Sequence, residues 1–187
     1  MRNSSNSYLK LSSFKSKNFP IITICLVLFL FAYSSHKSVS AEKKIDSCSL
    51  VTKAEAESVL GGPVGEPERR EFGGGEGQGF NSTCTYSTKS EYAIKSATIM
   101  VTKGFGKVSP EEFAKDFEEG MKENMGMEVS LQPISGIGDS AYVYEEGRQV
   151  IVLKDGYQLY ITSDSAKENH SAEAAKTLAK KAADRLP

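Results

Sequence analysis

Tryptophan is absent from this chain, histidine occurs only at His36 and His170, and cysteine only at Cys25, Cys48 and Cys84. Zinc centres need clustered His and Cys, and no such cluster or Cys-x-x-Cys spacing occurs. A Ser/His/Asp mechanism would have to rely on His170 at a polar loop-to-helix junction, and no G-x-S-x-G accompanies it. Calcium would want a D-x-[DN]-x-[DN]-G loop, which is missing. Carboxylates are abundant, but most lie on one solvated helix face, with no apolar pocket behind them to separate their pKa values. We therefore expect no catalytic residue, no metal and no cofactor.

Long apolar runs are scarce as well. The one candidate, Ile21–Ala32, is about fourteen residues with its flanks, short of the ~20 that a bilayer-spanning helix requires. Arg2, Lys10, Lys15 and Lys17 precede it without an acidic residue, and Val39-Ser40-Ala41 follows with small residues at −3 and −1. That is the pattern of a secretory leader cleaved after Ala41; an uncleaved anchor is the alternative. Cys25 sits in mid-run after Ile24, which does not suit lipidation.

Residues 1–41 are thus read as a signal peptide and residues 42–187 as a single α+β domain placed in the periplasm or outside the cell. The leader holds five Lys/Arg and no Asp/Glu. Of 23 basic and 24 acidic residues, 18 and 24 remain, a net charge of −6. An acidic domain offers no footprint for nucleic acid or an anionic bilayer. Its two remaining cysteines, Cys48 and Cys84, are an even count in an exported chain and read as a disulfide, with a redox pair or metal ligands as the less favoured alternatives.

The organising stretch is Pro133–Ser163. Three apolar-alternating runs, Ser140–Tyr144, Gln149–Lys154 and Tyr157–Thr162, are separated by Glu145–Arg148 and by Asp155-Gly156. Asp-Gly between β-rich runs signals a type I′ hairpin, whose two central residues need φ > 0. Gln149–Lys154 is apolar on both sides and is expected at the centre of the sheet. Tyr142, Tyr144 and Tyr160 fall on the other face from Ala141, Val143 and Ile161, either as a second packed layer or as an exposed aromatic surface.

Before the meander, Thr52 and Glu55 form a capping box for a helix over Lys53–Leu60, which Gly61-Gly62-Pro63 ends. Val64–Phe72 is expected as an irregular strand, and Ser82–Thr88 and Ile94–Lys103 as two better ones. Between them, Gly73–Gly79 matches neither a P-loop nor G-x-G-x-x-G, and reads as a loop. Gly75, Gly77 and Phe80 are nevertheless candidate partner contacts, since loops carry binding residues. Ser109, Pro110 and Glu112 open a helix whose face Phe113, Phe117, Met121, Met125 is expected on the sheet. Glu128–Leu131 is expected as a short strand, and Ser171–Leu186 as an Ala-rich helix whose basic residues could attract the acidic one. Asn81-Ser82-Thr83 and Asn169-His170-Ser171 are formal glycosylation sequons, silent in the bacterial source expected here.

The order of Cys48-Ser-Leu-Val-Thr-x-x-Glu, Leu60-Gly, Cys84-Thr-Tyr and Gly136-Ile-Gly-Asp-x-Ala-Tyr142 resembles small exported bacterial proteins of unknown function. It is similar to the secreted mycobacterial LpqN-type lipoproteins and, more distantly, to PsbP-like domains. The resemblance implies an α+β sandwich, an antiparallel sheet with helices packed on it, and supplies no catalytic residues. The lipoproteins' lipobox is missing here. The reading that results is a monomeric, exported, non-enzymatic binding or accessory protein that engages a protein partner or an apolar small ligand, through Tyr142, Tyr144 and Tyr160 or through the glycine loop. An unrecognised hydrolase and an inhibitor-like protein presenting residues 73–80 are the alternatives.

Overall fold

A computed structural model of the chain describes residues 44–73, 79–89, 93–103, 108–144, 148–166 and 170–187. The chain divides into the units Met1–Glu42 and Lys43–Pro187. The expected leader, with Cys25, lies outside the described residues, as do Gly75 and Gly77.

Seven strands form one antiparallel sheet: β1 (Glu68–Gly73), β2 (Phe80–Ser87), β3 (Ser96–Lys103), β4 (Gln132–Ile134), β5 (Ser140–Tyr144), β6 (Gln149–Lys154) and β7 (Tyr157–Ser163). Their spatial order is β1-β2-β3-β7-β6-β5-β4. Two consecutive meanders therefore meet along one seam, where β3 pairs with β7 from Ala97↔Ser163 to Lys103↔Tyr157. The Asp155-Gly156 hairpin is present, with φ of 49° and 78° at its two residues. Gly138, at φ 61°, is held so close to β6 that a Cβ would stand 2.4 Å from Val152 Cγ1 and 2.7 Å from the Leu153 carbonyl oxygen.

Several expected boundaries shift. Glu128–Leu131 is not a strand; the edge strand is Gln132–Ile134 instead. The N–H of Leu131 donates to Glu118 Oε1 at 2.8 Å, so a helix side chain takes the donor that a ladder would have used. The position at the middle of the sheet belongs to β7, not to Gln149–Lys154, although β6 is indeed buried on both faces. Of Val64–Phe72 only the part from Glu68 onward is strand, and all of β1 is exposed; Val64 makes an isolated bridge to Thr88.

Helices cover both faces. On one face, α1 (Lys53–Leu60) and α3 (Ser171–Arg185) close over Cys84, Tyr86, Ile99, Val101, Val150, Val152, Leu159 and Ile161 with Ala56, Leu60, Leu178, Ala179 and Ala182. The capping box at Thr52 and Glu55 is formed, and Gly61 ends α1 in the left-handed conformation. The face of α3 turned to the strands is mostly alanine, and its small side chains are buried there. Lys154 Nζ, from the end of β6, donates to the Ala183 and Leu186 carbonyls at 2.7 and 3.1 Å, capping the electronegative end of α3.

The disulfide is formed, with Cα atoms of Cys48 and Cys84 5.1 Å apart. It pins the short 3₁₀ turn Ser47–Ser49 onto β2, and polar rungs stand on either side. Ser47 N–H donates to Ser82 Oγ at 3.2 Å, and Tyr86 OH donates to the Val51 carbonyl at 2.6 Å.

On the opposite face, α2 (Pro110–Met125) packs on Tyr142, Tyr144, Ile151 and Leu153. Acidic α2 and basic α3 thus flank the sheet from opposite sides, and no ion pair between them is seen among the described residues. The cations of α3 pair elsewhere. Arg185 donates two hydrogen bonds to the Glu55 carboxylate at 2.7 and 2.8 Å, and Lys181 lies 3.1 Å from it. These contacts hold the Glu55 carboxyl far below the usual carboxylate range, Arg185 contributing most.

Candidate functional site

Tyr142 and Tyr144 are duties of packing. Tyr142 is 7% exposed, its ring 6.1 Å from that of Phe113, and its hydroxyl donates to the Pro110 carbonyl at 2.7 Å. Tyr144 meets Phe117 edge-on at 5.5 Å. The i, i+4 spacing of Phe113 and Phe117 puts both rings over the same strand, so α2 stands on an aromatic layer. Neither tyrosine lines an open pocket. Tyr160, half-buried, lies at the margin of that layer, and its hydroxyl donates to Gln158 Oε1 at 3.0 Å. Burial pushes the Tyr142 and Tyr160 phenols above the usual tyrosine range, with the charge of Glu111 adding to it at Tyr142, so both remain neutral hydroxyl groups.

Beyond Tyr160 the same face continues with no described helix over it. Strand alternation and register place Asn81, Thr83, Thr85 and Ser87 of β2 there, with Ser96, Thr98, Met100 and Thr102 of β3 beside them. Gln158 and Thr162 of β7 and Gln149 of β6 complete it. No side chain in this set is charged, in a chain of which 25% is charged. The hydroxyls and amides bond laterally: Thr85 Oγ1 and Thr98 Oγ1 are 3.2 Å apart, and Gln149 Nε2 donates to Thr162 Oγ1 at 3.3 Å. Asn81 Nδ2 points to the Met100 sulfur at 3.2 Å. Thr102 breaks the alternation: it is 6% exposed and its hydroxyl has no partner among the described residues. At the rim, Glu68, Arg70 and the 63%-exposed Phe72 share this face on β1.

Two clefts lie among the described residues. A cleft of about 100 Å³ at the Asp155-Gly156 turn is lined by Val108, Asp139, Leu153 and Tyr157. A smaller one, about 10 Å³, lies between Phe72, Gly73, Phe80 and Ile45. Phe80, a candidate partner contact, is 7% exposed and faces the α1/α3 core. Among the described residues no three His, Cys, Asp or Glu side chains come together as metal ligands. His170 takes the N-cap position of α3 and its side chain makes no capping bond there.

Fold and surface together define a class: a disulfide-pinned α+β sandwich with one half of one sheet face uncovered by any described element. No family model matches the chain, and neither the curated proteins nor the solved structures hold a match to it. The open half is the feature that sequence reasoning missed. Its signal was present in the alternation of β2 and β3, where one face is polar and wholly uncharged; which strands α2 would cover was not.

Proposed function

We propose that the chain is an exported, non-enzymatic binding module of the PsbP-like sandwich kind, and that it engages a protein partner through the open face of β2, β3 and β7. The observation that carries this reading is a broad sheet face, uncharged and rich in hydroxyl and amide groups, with no described element over it. Small-molecule sites are concave, of roughly 300–1,000 Å³, and the cleft of about 100 Å³ falls short of that. A flat surface able both to donate and to accept hydrogen bonds suits a macromolecular partner instead. Depletion of charged side chains at the centre is one trait of an interface core. The Cys48–Cys84 disulfide supports an oxidising compartment, and no described helix is long and apolar enough to cross a membrane.

The test is native mass spectrometry and chemical cross-linking of the protein purified from its own host, as wild type and as Thr98→Lys/Thr162→Lys. Placing two ammonium groups at the centre of the face should lower recovery of a cross-linked partner at least tenfold; because Thr98 and Thr162 are cross-strand partners, where like charges are destabilising, circular dichroism confirms that the variant remains folded under the conditions of the test. A wild-type protein that is a bare monomer without partner, or a complex untouched by the two lysines, would overturn the proposal.

A further inference from the structure

Three of the chain's five methionines lie within seven residues, as Met121-Lys-Glu-Asn-Met125-Gly-Met127, at the C-terminal end of α2. Packing accounts for the first of them alone. Met121 is half-buried against the Phe113 and Tyr144 cluster, whereas Met125 is 67% exposed and Met127 45% exposed. Two large apolar side chains standing in water at one helix end call for a further reason.

The backbone gathers all three. Met121 and Met125 are four apart on α2, which places them one above the other on a single side of the helix. Gly126 then adopts φ 67°, which reverses the chain, and its N–H is directed at the Lys122 and Met121 carbonyls. The next N–H, that of Met127, donates back to the Met121 carbonyl at 3.2 Å. The third methionine is thereby anchored beside the turn that carries the first two.

Three thioethers carried on one helix end and its turn are soft, neutral donors within reach of one another through flexible side chains. Thioether sulfur suits Cu(I) and similar soft ions rather than hard oxygen-seeking cations, and zinc is ordinarily held by Cys, His and carboxylate ligands. The electrostatics agree in sign. The C-terminus of a helix carries partial negative charge, Glu123 lies between the methionines in sequence, and the Lys122 ammonium is engaged by Glu128 at 3.0 Å. A set of harder ligands that would favour another metal is missing nearby, since no group of three His, Cys, Asp or Glu occurs among the described residues.

We propose that Met121, Met125 and Met127 form a surface site for a soft monovalent d¹⁰ ion, Cu(I) in the first place, bound through three sulfur atoms at the end of α2. The site lies on α2 rather than on the open sheet face and does not depend on partner binding there.

Ag(I), a redox-inert ion of the same class, is the probe, titrated into purified protein carrying Cys25→Ser so that no thiol outside the disulfide competes. Methionine methyl groups labelled with ¹³C report by NMR. The expected result is saturable binding of one ion per chain, with shifts at Met121, Met125 and Met127 and none at Met100. The double variant Met125→Leu/Met127→Leu keeps size and apolarity, should retain the circular dichroism of the parent, and should bind at least tenfold more weakly. Cu(I) held under anaerobic conditions against a chromophoric chelator should give the same ranking, and Zn(II) or Ca(II) in tenfold excess should not displace it. No saturable binding, unchanged affinity in the folded double variant, or shifts confined to Met100 or to His170 would overturn the proposal.

Discussion

Glu55 accepts from Arg185 and from the Thr52 N–H and lies beside Lys181, so one carboxylate joins the first turn of α1 to the last turn of α3. Its side chain is 16% exposed, enough enclosure for the bidentate geometry to count. Because the folded carboxyl titrates well below its ordinary value of 4.5, the stabilisation is fully present above that value and is lost as the pH falls below it. Glu55→Gln keeps the shape and removes the charge. At pH 7 it should lower stability by about 1 kcal/mol, and denaturant midpoints of variant and parent should draw together progressively as the pH falls below 4.5, meeting only once it passes the lowered value of the folded carboxyl. Nothing local announces this pair, since its members stand 130 positions apart. The capping box beside it, four consecutive residues long, could be read directly from Thr52 and Glu55.

Element by element, the hairpins and caps were the readable part, because their chemistry is local. Asp155-Gly156 demands left-handed backbone, and Ser109-Pro110 sets a helix start, whatever the rest of the chain does. Placement of elements against one another is a property of packing. The aromatic face of α2 was plain from its i, i+4 spacing, yet only the folded chain shows that it rests on Tyr142 and Tyr144, which removes those two tyrosines from the candidate contacts. The same is true of β6, whose double-sided burial marked an interior strand without saying that β7 would be central. The joint between α2 and the sheet is narrow, because Phe113 is its one fully buried residue. Phe113→Ala should cost about 3 kcal/mol or more, and amide exchange should show α2 opening well before the strands beneath it. Tyr142→Phe, which removes only the hydrogen bond to Pro110, should cost about 1 kcal/mol in the same assay.

For the molecule as a whole, the disulfide joins residues 36 apart in sequence, and chain-entropy reasoning values such a loop at roughly 4 kcal/mol. Reduction, or Cys48→Ala/Cys84→Ala, should lower the urea midpoint accordingly. It should also raise the m-value if the unlinked denatured chain is more expanded. The α+β class and the cysteine pairing both followed from the sequence, since alternation, caps and an even cysteine count each point one way. The open face did not, because it exists only where α2 stops covering the sheet.

The seam between β3 and β7 joins positions some sixty residues apart, Ala97 to Ser163 at one end, while every other strand pair is a neighbour in sequence. Closing that one long loop is the entropically slow event, and contacts of such separation set folding times. Both cysteines fall on the N-terminal side of the seam. A chain delivered from its N-terminus therefore carries both cysteines, and the strand β2 that holds one of them, before the second meander arrives, and the bond needs no residue beyond the seam to form.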